Sequence, residues 1–585
     1  MEEMPVLSVR PVVLTIVLSF LVFPVAFGFD APRPRLVVQI TVDQLRGDLP
    51  FRYQDRFGPG GFRYFMNQGT WFTSAHQPHA FTETVVGHTT LATGAWPSRH
   101  GMVGNRWYDR ITGQFVNNIE TTKYPILPIL GEPPCVPSSN KSCKGAAPTA
   151  IHTTTLSDEL AITTATRADA LTGTIVGGAK IFGVSLKDRG AIPMAGHAGK
   201  AFWYSDKNGC FVTSSFYYSA YPSWVSSWCE KHPADAYKNT KWELLHKPET
   251  YLFRDFDNAY PAGSPAEINM ELLVNDYHFG RNFPHTLGDA RTGLYQGLTL
   301  TPFADELTLN FVEALVKNEG LGKDDIPDYL AISFSVTDYV GHWFSPSSME
   351  SEDNILRLDQ TLASLLTFLD AEVGLDNTLI ILSADHGGPE YPEYLKTIQV
   401  NTGRIASQTI LDVGKAAVQP KWGDGIILEY DHPYFYLDRD RIEAQGYSLL
   451  AIQQAIATAV TKLDGIKVAV PAVDMGGGGM ADEALIGQIR RNYDSTRSGD
   501  VYVVQELQWQ IDAAPSSGPP LLQHDALWAY DTYVPLAFAG FGVPRARVPR
   551  DIDTTDIAAT LATILRTKFP SGCTGTPLPE ITGSK

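Results

Sequence analysis

Several acidic residues and histidines in this chain stand where apolar runs break off. The run in "RLVVQITVDQ" stops at Asp43, and the run in "YLAISFSVTDYVGH" stops near Asp338, with His342 four residues on. In "ILSADHGGPE", Asp385 and His386 stand side by side before two glycines. Any one of these, alone, reads as a capping Asp or a surface His. Together they are carboxylates that repel one another unless a cation neutralises them. Imidazole nitrogen mixed with carboxylate oxygen suits zinc, whereas magnesium and calcium favour oxygen-rich sets. Five such groups exceed the needs of one tetrahedral zinc, so two ions are the economical expectation. A sixth ligand is expected from His524, just before the late apolar run of "QHDALWAYDTYVPLAF", with His432 in "DHPYFYL" as the competitor.

A nucleophile and an anion cradle lie elsewhere in the sequence. In "FTETVVGHTTLATG" hydroxyl residues lead into a helix, and Thr84 falls where free backbone N–H groups and the helix dipole favour an anion. A threonine hydroxyl is a poor nucleophile unless a cation lowers its pKa, so Thr84 gains meaning only beside the acidic cluster. Thr82 is the alternative. "HGMVGNRWYD" offers Asn105, and "VSLKDRG" offers Lys187 and Arg189. If a strand runs through Arg189, those two cations share one face and Asp188 points away. Arg forks onto two phosphate oxygens and Lys supplies a point charge.

Strands are expected over 35–44, 179–186, 329–338, 378–382 and 534–540. A helix is read from Ile355, Leu358, Leu362, Leu365, Leu366 and Leu369, led by Glu352 and Asp353. Strand, helix, strand in that order imply a parallel crossover, and ligands bind at the carboxyl edge of such sheets. Asn208-Gly209, between aromatic and β-branched runs of 201–216, signals a hairpin. Segments 190–300 and 388–522 lack a steady βα rhythm and read as insertions on one catalytic domain spanning 29–585. The run Gly476–Gly479 lacks a P-loop lysine and reads as a loop.

Composition narrows the function classes. A chain of 585 residues with 44% hydrophobic residues supports a large core. Its net charge of −18 argues against nucleic acid as a partner, and an anionic substrate would need a local positive centre. Val12 to Phe23 is an apolar run ended by Pro24, with Ala26-Phe27-Gly28 offering a cleavage site. Residues 1–28 are therefore expected to be a signal peptide, leaving an exported protein, periplasmic or secreted, with no stable membrane anchor. Among five cysteines, Cys135 with Cys143 and Cys210 with Cys229 are expected to pair, leaving Cys573 over.

With these residues gathered, the chain resembles the alkaline phosphatase superfamily. It is most similar to the threonine-nucleophile, phosphate-irrepressible branch, which is like the type I phosphodiesterases and nucleotide pyrophosphatases. The resemblance runs in order through "VVQITVDQLRGD", "TETVVGHTTLATG", "HGMVGNRWYD", "SLKDRG", "SVTDYVGH", "LSADHGG" and "HDALWAYDTYVP". It departs where Val-Val-Gly-His follows Thr84 in place of Gly-Pro-Gly-His, and where Asp-Ala-Leu follows His524. The resemblance implies an α/β fold, a mostly parallel central sheet flanked by helices with inserted cap segments. It also implies two Zn2+ ions, one held by Asp338, His342 and His524, the other by Asp43, Asp385 and His386 with Thr84. Thr84 would attack phosphorus to give a phosphothreonine, while Asn105, Lys187 and Arg189 grip the non-bridging oxygens. The expected substrates are small-molecule phosphate monoesters, and the expected state is a monomer. The rivals are a phosphodiesterase or nucleotide pyrophosphatase, a phosphonate hydrolase, and an exported metal-binding protein without turnover. A sulfatase is disfavoured because "CVPSS" stops short of a Cys/Ser-x-Pro-x-Arg motif.

Overall fold

In the computed structural model the apolar runs pair into one nine-stranded sheet. In chain order its strands are β1 (Leu36–Val42), β2 (Thr70–His76), β3 (Ile181–Ser185), β4 (Lys200–Ser205) and β5 (Cys210–Val212). They continue with β6 (Asp328–Phe334), β7 (Thr378–Ser383), β8 (Tyr533–Gly540) and β9 (Ala546–Asp553). The spatial order is β5-β4-β3-β6-β1-β7-β8-β2-β9. β5 and β8 run against the other strands. The structure describes residue 1 and residues 32–136, 143–165, 167–168, 175–254, 279, 282–288, 291–476, 483–512 and 521–583. The expected signal segment and most of the Gly476–Gly479 run lie outside the described residues.

β1, β6 and β7 are buried along their whole length, as near-continuous apolar strands of a covered parallel sheet should be. Register aligns their ends. Thr41 of β1 pairs with Ser333 of β6 on one side and Ser383 of β7 on the other. The chain segments leaving all three strands therefore emerge at one level of one edge. β8 begins at that edge because it is antiparallel, with Ser383 opposite Leu536. A helix, Met349–Glu372, joins β6 to β7 over β1, capped by Ser348 Oγ, which accepts the Ser351 N–H. It buries Ile355, Leu358, Leu362, Leu365, Leu366 and Leu369. Directly after β6, the helix Val336–Phe344 has its first N–H groups collected by Asp305, which accepts from Ser335 and Val336.

One condition set by the sequence is not met, and one expectation needs correction. No strand runs through Arg189. β3 ends at Ser185, whose hydroxyl accepts the Lys187 N–H at 3.0 Å, and a helix then runs from Asp188 to Ala195. The Asp188 carboxylate accepts the Arg189 N–H, so the chain turns instead of extending. Lys187 and Arg189 thus do not share a strand face. The segment 190–300 also does not lie wholly outside the sheet, since β4 and β5 belong to it and form the Asn208-Gly209 hairpin. Segment 388–522 holds a separate antiparallel sheet, in the order Ile427–Asp431, Tyr434–Leu437, Val501–Gln505, Ile466–Pro471, over its own apolar core. Disulfides join Cys135 to Cys143 and Cys210 to Cys229, and Cys573 is free.

Candidate active site

The aligned strand ends bring the acidic residues and histidines into two groups. Asp43, Asp385 and His386 offer ligand atoms within 4.8 Å of one another, and so do Asp338, His342 and His524. The Val336–Phe344 helix puts Asp338 and His342 on one face, with His342 Nε2 3.3 Å from Asp338 Oδ1. His524 arrives from the segment before β8, and its Nε2 lies 3.1 Å from the same oxygen. His386 Nε2 lies 3.4 Å from Asp43 Oδ1 and 3.3 Å from Asp385 Oδ2. The imidazoles of His386 and His524 stack at 3.6 Å, which puts the two groups side by side.

The residues present fit metal ions. Each histidine has Nδ1 against a backbone carbonyl: His386 at Gly387, His524 at Thr82 and His342 at Leu522. Nδ1–H donation to those carbonyls directs Nε2 of each ring at carboxylate oxygens, where a metal ion or a proton stands between the two, and backbone carbonyls of this kind are what orient metal-binding imidazoles. Asp43 Oδ1 and His386 Nε2 are buried without a hydrogen-bond partner. Burial, then the charges of Asp338 and Asp385, push the Asp43 carboxyl up to about 8 against the pull of Lys187 and His88. Burial lowers His524, but Asp338 outweighs it and raises the imidazole to about 9. Burial holds His386 down at about 3.

Thr84 is the first residue of the helix Thr84–Thr93, whose N-cap is the extended Glu83. Lys187 Nζ lies 3.5 Å from Thr84 Oγ1 and 2.8 Å from Asp43 Oδ2, and it also bonds Asp338. Burial favours the neutral amine, yet Asp338 and Asp43 raise its pKa, so Lys187 is a fixed positive charge. Arg189 lies in the first turn of its helix with Nε lacking a hydrogen-bond partner. Asn105 donates its N–H to the Glu83 carboxylate. The Thr82 hydroxyl is taken up by backbone carbonyls and is not free to act as a nucleophile. It donates to the carbonyls of His524 and Ala526, pinning the loop that carries His524. His432 falls outside both groups, with Nδ1 on the Tyr430 hydroxyl and Nε2 3.6 Å from Asp525.

Three supporting residues escaped the sequence reading. Gln44, in a left-handed conformation at φ 64°, donates its N–H to Asp385 and its side-chain amide to Asp338, tying the two groups together. His88 Nδ1 lies 3.0 Å from Asp385 Oδ2 and 2.9 Å from the Thr84 carbonyl. Asn118 donates to the Asn105 carbonyl at 2.8 Å. Gln44 follows Asp43 directly and His88 lies one turn beyond Thr84, so adjacency to the motifs was the available signal.

Residues 37–531 match the family model of type I phosphodiesterases and nucleotide pyrophosphatases. The chain belongs to that family. Within the alkaline phosphatase superfamily it is 32% identical over 559 residues to alkaline phosphatase PafA of Elizabethkingia meningoseptica, covering 94% of this chain and 95% of that protein. To alkaline phosphatase PhoV of Synechococcus elongatus it is 31% identical over 560 residues, covering 95% and 94%. The crystal structure of wild-type PafA superposes with a TM-score of 0.80 at 29% identity, over 94% of this chain and 100% of that one. Both the phosphatase architecture and the mostly parallel sheet are therefore those of this family.

Proposed function

We propose that this enzyme is a zinc-dependent alkaline phosphatase that hydrolyses phosphate monoesters through a phosphothreonine at Thr84. One observation carries the reading. Two metal-ligand groups stand side by side, and a buried lysine bridges from their carboxylates toward the Thr84 hydroxyl. Asp338, His342 and His524 would hold one Zn2+, and Asp43, Asp385 and His386 the other, with Thr84. When bound, the ions supply the charge that acidifies a hydroxyl and stabilises a departing oxygen.

The chain's own residues do the positioning that phosphoryl transfer mainly asks for. The free N–H groups at the start of Thr84–Thr93 face the anion, and Lys187 sets its charge against the non-bridging oxygens. Arg189 and Asn105 complete the grip, with Asn105 held in place by Glu83 and Asn118. A monoester carries one more negative oxygen than a diester, and the pair Lys187 and Arg189 favours it over the phosphodiesterase alternative. Export after loss of residues 1–28 and a monomeric state belong to the same proposal. Among the described residues no helix is long and apolar enough to cross a membrane.

The test pairs two measurements. Second-order rates for p-nitrophenyl phosphate and bis-p-nitrophenyl phosphate should favour the monoester, and a diester preference overturns that part. Thr84→Ala should lose turnover while keeping its zinc; full activity in that variant rejects Thr84 as nucleophile.

A further inference from the structure

The helix Val336–Phe344 carries a second stripe beside its ligand stripe. Tyr339 and Trp343 each follow a ligand residue by one position, so they form an i, i+4 pair about 100° further round the same helix. That aromatic stripe lines a cavity of about 670 Å3 whose other walls include Leu186, Trp203, Tyr204 and Leu300. Trp203 and Tyr204 are the carboxyl-terminal part of β4, on the sheet edge that holds the ligand groups. Lys187 and Arg189 stand in the same wall. The Lys187 ammonium lies 5.2 Å from the centroid of the Tyr339 ring and 3.5 Å from Thr84 Oγ1. The cavity and the nucleophile are therefore separated by little more than one lysine head group. Its size is that of a small-molecule site, and its lining combines four large rings with the cations Lys187 and Arg189.

We propose that this cavity receives the alcohol portion of the substrate and selects aromatic alcohols. The inference rests on the monoester reading above and goes beyond it in naming the substrate class. A ring entering beside Trp343 and Tyr339 gains offset or edge contacts that an alkyl chain cannot make. Phosphate bound at Lys187 and Arg189 places the ester's remaining atoms within reach of those rings.

The experiment compares 2-phenylethyl, 2-cyclohexylethyl and ethyl phosphate. Their alcohols are of nearly equal acidity, so leaving-group chemistry cancels and the cyclohexyl ester controls for apolar bulk. The expected result is a kcat/KM roughly tenfold higher for the phenylethyl ester than for the ethyl ester, and higher than for the cyclohexyl ester. Trp343→Ala should bring the phenylethyl-to-ethyl ratio close to one, while Trp343→Phe keeps most of it. A wild-type ratio near one, or a ratio unchanged in Trp343→Ala, overturns the proposal. If none of the three esters turns over, the phosphatase reading falls. Ligand-observed NMR with 2-phenylethanol then decides the cavity alone: saturable binding lost in Trp343→Ala supports it, and no binding overturns it.

Discussion

Gly87→Ala is the perturbation that most directly tests how the nucleophile's helix is seated on the strand ends. In an ordinary helix interior this change would stabilise the protein by about 1 kcal/mol. Here the added Cβ would lie 2.1 Å from the Asp385 carbonyl oxygen and 2.7 Å from Asp385 Cβ. Ordinary contact starts at 3.4 Å, so the helix and the strand end must part by about 1.3 Å. Neither side yields easily, because His88 on the next position is also bound to Asp385. Overpacking of this kind costs about 1–3 kcal/mol, which leaves a net destabilisation of up to about 2 kcal/mol after the helix gain. The catalytic loss should be larger. A displacement near 1 Å between Thr84 and Asp385 is expected to lower kcat/KM by about a hundredfold. The assay is kcat/KM on p-nitrophenyl phosphate beside urea denaturation of the same variant. A Gly87→Ala protein with wild-type kcat/KM and raised stability would refute the close seating of the two elements.

Further outcomes follow from other parts of the molecule. Dialysis against a chelator should abolish turnover and lower thermal stability, since Asp43, Asp338 and Asp385 would face one another with only Lys187 and His88 to offset their charge. Readdition of Zn2+ should restore both, and activity that survives complete metal removal contradicts the site. Asp353 accepts from Trp242, Leu245, Tyr251 and Arg357 and clamps the 241–252 segment to the helix Met349–Glu372. Asp353→Ala should therefore cost about 3 kcal/mol by urea denaturation, because buried donors are left unpaired. The bond from Asp158 outweighs burial and raises the His197 pKa above its usual value of 6.5. His197 thus contributes stability that is complete below about pH 6.5 and is lost as pH rises through the folded pKa. His197→Gln should flatten the fall in unfolding free energy across that window, and an unchanged slope would show that His197 does not carry it.

How much was legible before any fold was known depends on the range of the interactions involved. The runs leading to Asp43, Asp338 and Asp385 are short, apolar and β-rich, and they became β1, β6 and β7. However, β6 stops at Phe334, and Asp338 stands in the helix that follows, not at the strand's end as expected over 329–338. Helical spacing marked Ile355 to Leu369, and Asn208-Gly209 marked the hairpin, because both signals lie within a few residues. The condition under which Lys187 and Arg189 would share a strand face failed on a local competition that composition does not display, the Ser185 hydroxyl capturing the Lys187 N–H. Position before the late strand favours His524 over His432, but both precede strands, and only the approach of His524 to Asp338 separates them. Gln44 and His88 went unnoticed because their partners, Asp385 and Asp338, lie about 300 residues away in the chain.

The sequence by itself determined the elements, the residue types and the chemistry they could do together. Only the tertiary structure decided which strand ends are neighbours. β1 lies between β6 and β7, and antiparallel β8 brings His524 back to the same edge. The physical reason is that strand order and register are set by burial over the whole sheet. Strands from distant parts of the chain share one apolar interior, and only their alignment turns separate carboxylates and imidazoles into a single charged pocket.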